Sequence, residues 1–248
     1  MFIPSFGLLS AYRLFSASCF LPCPCGQVKT SAGRRTNPSQ PLPQSNSIPP
    51  CPVNWQPFSP AELTARLCHL PVAWAIAGGW ALALWRGRET RPHDDIEIAI
   101  ARGDLAAVLA VCPDLVPHAA GSGKVVPLTS IAELLPEFHQ VWMLDPAACC
   151  WRFDILLEPS TPETYVYRRD PSITLPRADS IMTATGGIPF LAPEIVLLFK
   201  AKALRPKDQT DFGAALLRLT AKQRTWLIAA LTKTHPGHPW LAALNFAP

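Results

Sequence analysis

The sequence predicts a mixed α/β domain with a helical C-terminal part, preceded by a disordered tail. Three observations support this: a Pro- and Ser-rich beginning, short apolar runs that alternate with helical patterns up to about residue 157, and helical periodicity in the last 60 residues. We therefore predict a disordered tail over 1–55, an α/β domain over 56–190 and a helical region over 191–248. Alternation of strands and helices is typical of helices packed on a mixed sheet.

The tail carries the net charge of the chain. It contains four basic residues and no acidic one, so residues 56–248 hold eighteen basic and eighteen acidic side chains. A neutral domain gives no support for nucleic-acid binding, and we expect no nucleic-acid partner. Residues 26–54 are rich in Ser, Pro, Gln and Asn, and such a composition cannot bury enough apolar surface to offset the entropy of ordering.

Two apolar stretches, 2–22 and 67–85, have nearly the length of a membrane span. Arg13 interrupts the first stretch, and Pro71 and a glycine pair divide the second. We therefore expect no membrane segment and a cytoplasmic location.

The first predicted element of the domain is a helix from Pro60 to about residue 69. Ser59 supplies an N-cap, Pro60 fits the first helical position, and Glu62 lies in the first turn. A buried strand at 72–77, a turn at the glycine pair and a short helix at 80–85 follow.

The next elements alternate, and the chain then becomes helical. β-branched and apolar runs predict strands at 96–100, 125–128, 141–144 and 150–157, and a further strand or hairpin near 165–167, with a helix at 105–111. Helical spacing of apolar residues predicts helices at 193–204, 207–219 and 221–231.

Acidic residues mark two of the predicted strands. Asp95 and Glu97 are two residues apart, so in a strand they share one face. Asp154 lies in the middle of an apolar strand, where an unpaired carboxylate would be costly. If the two strands are neighbours, the three carboxylates converge and would hold Mg²⁺. The alternative is that Asp95 and Glu97 lie on a solvated strand edge and that Asp154 pairs with an arginine.

A Gly78-Gly79 turn joins a strand to a helix fifteen residues before these acids. Backbone N–H groups at such a helix N-terminus bind phosphate. With Trp80, the sequence from Arg91 to Glu97 and Phe153-Asp154-Ile155, this turn resembles the nucleotidyltransferase superfamily of the polymerase-β type. More narrowly, the chain resembles the aminoglycoside 2''-adenylyltransferase-like branch over about residues 56–231.

The resemblance implies a nucleotidyltransferase-type mixed sheet and a metal-dependent enzyme. Such an enzyme transfers a nucleoside monophosphate, here AMP from ATP, to a hydroxyl of a small-molecule acceptor such as an aminoglycoside. Two Mg²⁺ ions and a nucleoside triphosphate are the implied cofactor and co-substrate.

The resemblance also assigns roles to residues. Asp95 and Glu97 are implied to be metal ligands, and Asp154 the third carboxylate, which also accepts the proton of the attacking hydroxyl. Gly78 and Gly79 are implied to hold the triphosphate through their backbone. Lys200 or Lys202 is implied to neutralise phosphate charge. Helix-cap chemistry is a sufficient interpretation of two further acids, Asp208 and Asp211, which suit a first helical turn.

Two departures from the family pattern support an alternative function. Trp80 replaces a Ser or Thr whose hydroxyl contacts phosphate, and Glu97 replaces the commoner Asp. The alternative is a non-catalytic nucleotide-binding or regulatory module with a degenerate nucleotidyltransferase fold. Aminoglycosides would also need an acidic pocket, for which three unplaced residues are candidates: Glu89, Glu133 and Glu137.

Three further features have simpler interpretations. His235 and His238 lie in a Pro- and Gly-containing segment and are predicted to be solvated. Residues 121–124 lack the spacing of a phosphate-binding loop and predict a hairpin turn. Arg168 and Arg169 either contact substrate or flank a strand.

Overall fold

The computed structural model describes residues 54–246. The predicted tail lies outside the described residues except at its last two positions. These form strand β1 (Asn54–Trp55), which runs parallel to Cys150–Trp151. The boundaries at 55/56 and 190/191 stay predictions.

A mixed sheet forms the centre of the described part of the chain. Besides β1 it contains eight strands in the spatial order β10-β11-β2-β3-β7-β6-β4-β5. A separate two-stranded sheet is formed by β8 and β9. The strands are β2 (Trp74–Ile76), β3 (Glu97–Ala101), β4 (Val116–Gly121), β5 (Lys124–Pro127), β6 (Gln140–Asp145), β7 (Cys150–Glu158), β8 (Thr164–Val166), β9 (Thr174–Pro176), β10 (Ile181–Thr183) and β11 (Pro189–Leu191).

The central pair of strands is β3 and β7, which run parallel. Ile98 of β3 and Phe153 and Ile155 of β7 are fully buried, as alternate residues facing one apolar layer should be. Strand β2 pairs antiparallel with β3 on the other side. The apolar faces of these strands therefore fix which side of the sheet is left for polar residues.

Six of the seven helices between residues 54 and 234 were predicted, and their order agrees with the prediction. The helices are α1 (Pro60–Leu67), α2 (Gly78–Arg86), α3 (Leu105–Val111), α4 (Arg177–Ser180), α5 (Pro193–Ala201), α6 (Pro206–Leu216), α7 (Ala221–Thr234) and α8 (Pro239–Phe246), of which α4 and α8 were not predicted. Ser59 and Glu62 form the capping box of α1. The predicted α/β class with a mixed sheet and a helical C-terminal part is confirmed.

Predicted boundaries or environments differ from the structure at several places. Helix α5 ends at Ala201 rather than 204, because Leu204 has a φ of +47° and Arg205, which precedes a proline, is extended. Helix α2 begins at Gly78, so the glycine pair is its first turn. His238 is buried, and its ring Nε2 lies 3.0 Å from the carbonyl oxygen of Ala201.

Strand β4 was not predicted because Pro117, His118 and small residues conceal its alternation. It pairs with β5 through the predicted hairpin turn, where Ser122 and Gly123 have positive φ. No helix between residues 54 and 246 is long and apolar enough to cross a membrane.

Candidate active site

A cavity of about 290 Å³ lies at the N-terminus of α2, against strands β3 and β7 and helix α5. It contains five of the predicted site residues: Gly78, Gly79, Asp95, Glu97 and Lys200. Its wall also contains residues that sequence reasoning gave other roles or missed: Arg91, His93, Gln140, Leu156, Glu158, Arg168, Arg169, Phe199, Arg205 and Lys207. Asp154 and Lys202 are not part of the wall.

The predicted neighbourhood of the two acidic strands is correct. Glu97 and Asp154 are partners in the parallel β3–β7 register, so their side chains lie on the same face of the sheet. Asp95 precedes β3 and is exposed, whereas Asp154 is 4% exposed. The strand pairing therefore brings the Glu97 and Asp154 carboxylates side by side, near that of Asp95.

Burial and nearby negative charge raise the pKa values of the two paired carboxyl groups. Burial and the nearby charge of Asp95 raise the pKa of Glu97 to about 7. Burial, followed by the charge of Glu97, raises the pKa of Asp154 well above its usual range. Asp154 accepts a hydrogen bond from the Gln140 amide rather than pairing with an arginine. Its Oδ1 has no hydrogen-bond partner among the described residues, although the Trp142 side chain lies near enough to lower the pKa of Asp154.

Gly78 allows the Glu97 carboxylate to lie against the start of α2. Its φ is +58°, and a Cβ at this position would lie 1.8 Å from Oε2 of Glu97. At Gly79 a Cβ would come within 2.6 Å of the side chains of Arg91 and His93. The glycine pair therefore accommodates three side chains of the cavity wall.

His93 packs on Trp80, with ring centroids 4.5 Å apart. Burial and the adjacent Arg91 lower the pKa of His93 to about 4. The imidazole is therefore neutral at physiological pH and forms part of an aromatic wall beside the glycine turn.

Lys200 is the predicted cation that the fold brings to the cavity. It is 8% exposed, and its Nζ lies 2.9 Å from Oδ2 of Asp211 and 3.3 Å from Oδ1 of Asp208. Lys202 is exposed on the surface. Lys200 rather than Lys202 lies at the cavity because it is on the buried face of α5.

Two further cations, Arg205 and Lys207, lie in the cavity wall near the carboxylates. Arg205 pairs with Asp208 at 2.8 Å, and the charges of Glu97 and Asp95 also contribute to raising its pKa. Helix-cap chemistry was therefore an incomplete interpretation of Asp208 and Asp211. Asp208 does accept a hydrogen bond from the backbone N–H of Arg205, but both acids are buried and bind Lys200.

Asp211 also binds a fourth cation of the cavity wall, Arg91. Its Oδ2 lies 3.2 Å from the guanidinium of Arg91, and its Oδ1 lies 3.9 Å from that of Arg86. Although burial opposes it, the contacts with Lys200 and Arg91 lower the pKa of Asp211. The i, i+3 spacing of two acids on one helix face, together with a basic residue on the preceding helix, was the sequence signal for this network.

The chemistry of the acids fits a divalent cation, although their present arrangement does not enclose one. Over residues 54–246 no group of three or more His, Cys, Asp or Glu side chains is placed to hold a metal ion. Hard carboxylate oxygens are nevertheless the ligands that Mg²⁺ prefers. A buried Asp154 oxygen without a partner and a Glu97 with a raised pKa both gain from a nearby positive charge.

The mixed sheet, the glycine turn and the paired acids are the features by which the chain resembles enzymes of the nucleotidyltransferase class. Residues 61–140 match the family described as aminoglycoside-2''-adenylyltransferase. This segment includes the glycine turn and Asp95 and Glu97, and it ends before Asp154. Over residues 61–140 the chain is thus similar to the aminoglycoside adenylyltransferases, and the predicted resemblance is confirmed.

Solved structures are also similar to this chain. ANT(2'')-Ia in complex with adenylyl-2''-tobramycin is 16% identical, with a TM-score of 0.46 over 70% of this chain and 95% of that one. The lincomycin-bound lincosamide antibiotic adenylyltransferase LnuA is 17% identical, with a TM-score of 0.44 over 62% and 91%. A nucleotidyltransferase-like protein from Paracoccidioides brasiliensis is 17% identical, with a TM-score of 0.37 over 75% and 90%. A search of curated proteins gives no match.

Proposed function

We propose that the protein is a metal-dependent nucleotidyltransferase that transfers AMP from ATP to a hydroxyl of a small-molecule acceptor. The observation that supports this most is the composition of one cavity. Carboxylates on the strand side face Lys200, Arg205 and Lys207 on the helix side, next to a helix N-terminus. Such a site suits a triphosphate, whose charge needs cations and backbone N–H groups.

The proposed reaction is an in-line displacement. The acceptor hydroxyl oxygen forms a bond to the α-phosphorus of ATP, the bond between that phosphorus and the α–β bridging oxygen breaks, and pyrophosphate leaves. The hydroxyl proton passes to a carboxylate, for which Asp154 is the proposed acceptor. A carboxylate within hydrogen-bond reach of the attacking hydroxyl can accept its proton as a general base.

The remaining roles concern binding and orientation. Asp95 and Glu97, with Asp154, would hold Mg²⁺, which neutralises phosphate charge when it is bound. Gly78 and Gly79 would approach the triphosphate through their backbone, and Lys200 would contact it as a point charge held by Asp208 and Asp211. Lys202 is left without a role because it is exposed away from the cavity.

Nucleotide binding tests the proposal directly. Titration calorimetry with MgATP is expected to show that Asp95→Asn weakens binding at least tenfold, which corresponds to about 1.4 kcal/mol. Asp104→Asn is the matched control, because Asp104 lies outside the cavity wall and precedes α3. Equal MgATP affinity in the wild type and Asp95→Asn would refute the metal and nucleotide site.

The family match supports transfer rather than binding alone, so the non-catalytic alternative is not favoured. The first acceptors to be tried are tobramycin and lincomycin, named with two of the similar structures. Pyrophosphate release that depends on one of these acceptors would support catalysis. Tight MgATP binding without release on any hydroxyl acceptor would restore the non-catalytic alternative.

A further inference from the structure

A buried carboxylate without a hydrogen-bond partner lies in the cavity wall away from the proposed metal ligands. Glu158 is the last residue of β7 and is 2% exposed. In the part of the chain that the structure describes, neither of its oxygens has a hydrogen-bond partner, and the nearby Arg168 backbone N–H and the charges of Arg168, Arg169 and Arg177 only partly offset the effect of burial on its pKa. A buried carboxylate without donors is costly. It therefore favours a ligand that supplies them.

The position of Glu158 separates it from the metal ligands. It lies four residues after Asp154 on the same face of β7, so the two Cα atoms are about 13 Å apart along the strand. That distance is too great for one ion to contact both side chains. It matches instead a second subsite at the other end of the same cavity.

The walls near Glu158 combine apolar and basic groups. Leu156 and Phe199 are apolar members of the cavity wall. Arg168 and Arg169 also line the cavity, and their guanidinium carbons lie 5.7 and 5.0 Å from the centre of the Phe199 ring. This end of the cavity therefore offers one carboxylate, two guanidinium groups and an apolar surface.

The charge of the cavity argues against a polycationic ligand. Its wall contains six Lys and Arg residues and four Asp and Glu residues. None of the three acids that were candidates for an acidic pocket, Glu89, Glu133 and Glu137, belongs to it. A ligand with several ammonium groups could pair only one of them with Glu158, and the guanidinium groups of Arg168 and Arg169 would repel the others.

We propose that Glu158 binds the acceptor, and that the acceptor is a polyhydroxylated small molecule with at most one positive charge. One carboxylate accepts hydrogen bonds from two hydroxyls or from one ammonium group. Its apolar neighbours contact the hydrocarbon part of the same molecule. This inference rests on the proposed nucleotidyl transfer and specifies its second substrate.

The test compares two acceptors and one isosteric variant. Transfer of label from ATP labelled at the α-phosphate is measured with lincomycin, which has one basic amine, and with tobramycin, which has several. We expect kcat/KM to be at least tenfold higher for lincomycin. In Glu158→Gln the KM for lincomycin should rise at least tenfold while the KM for ATP changes less than twofold. Glu163→Gln, an exposed glutamate outside the cavity wall, is the control and should match the wild type.

Two results would overturn the inference: a higher kcat/KM for tobramycin, or an unchanged lincomycin KM in Glu158→Gln. A wild-type protein that does not bind MgATP, or that binds it without transfer to any hydroxyl acceptor, would instead refute the proposed function itself. Calorimetry with MgATP and the transfer assay on the same samples therefore distinguish the two failures.

Discussion

Replacing Gly78 by alanine has two effects that can be measured separately: strain in the backbone and displacement of the Glu97 carboxylate. Gly78 and Gly87 are both in the left-handed region, with φ of +58° and +71°. An alanine in this region costs about 1–2 kcal/mol at either position. A new Cβ at Gly87 has nothing within 4 Å, whereas at Gly78 it would lie 1.8 Å from Oε2 of Glu97. Because that oxygen is at the end of a flexible side chain, it moves aside at little further cost to stability.

We therefore expect Gly78→Ala and Gly87→Ala to lower the free energy of unfolding by similar amounts, about 1–2 kcal/mol each. Only Gly78→Ala moves the Glu97 carboxylate, so it alone should weaken MgATP binding, by at least tenfold or about 1.4 kcal/mol. Urea denaturation gives the first quantity, and calorimetry at a temperature where both variants are folded gives the second. The reasoning is refuted if Gly78→Ala binds MgATP as tightly as Gly87→Ala does.

Two further predictions concern the buried charges. Asp211→Asn removes the buried carboxylate that Lys200 and Arg91 contact, so urea denaturation should show a loss of about 3–5 kcal/mol in the free energy of unfolding. The control is Asp114→Asn, whose carboxylate is half exposed and whose loss should be less than about 1 kcal/mol. Equal losses in the two variants would contradict the network. Burial raises the pKa of Glu158 to about 7, so folding favours its neutral form. The contribution of this group to the free energy of unfolding is therefore fully present below about pH 4.5 and is lost as the pH rises through 7. The metal-free protein should therefore be more stable at pH 5 than at pH 8, and Glu158→Gln should remove about 3 kcal/mol of the difference; an unchanged difference would contradict the assignment.

Local signals were sufficient to predict most of the elements around the site. The alternation in 150–157 predicted β7, and the spacing of Asp95 and Glu97 predicted their common side. The pairing of β3 with β7 was a conditional expectation, since register depends on contacts between distant segments. The structure supplies that register, with Glu97 opposite Asp154.

The rest of the site depends on packing that no short pattern encodes. Lys200 and Lys202 have the same chemistry, and only the rotation of α5 on the core decides which one is buried. Likewise, Glu158 ends an apolar strand that was predicted to stop at residue 157. The charges of Arg168 and Arg169 act on it from a distant part of the chain, and this tertiary proximity has no signal in the sequence.

Transfer of the α-phosphate label from ATP to an acceptor is the most direct test of the central claim. With Mg²⁺ and lincomycin present, the account predicts a labelled acceptor whose amount equals the pyrophosphate released. Asp95→Asn should abolish both products, and Asp104→Asn should retain them. Labelled acceptor formed equally by Asp95→Asn, or MgATP binding without any labelled acceptor across hydroxyl compounds, would contradict the account.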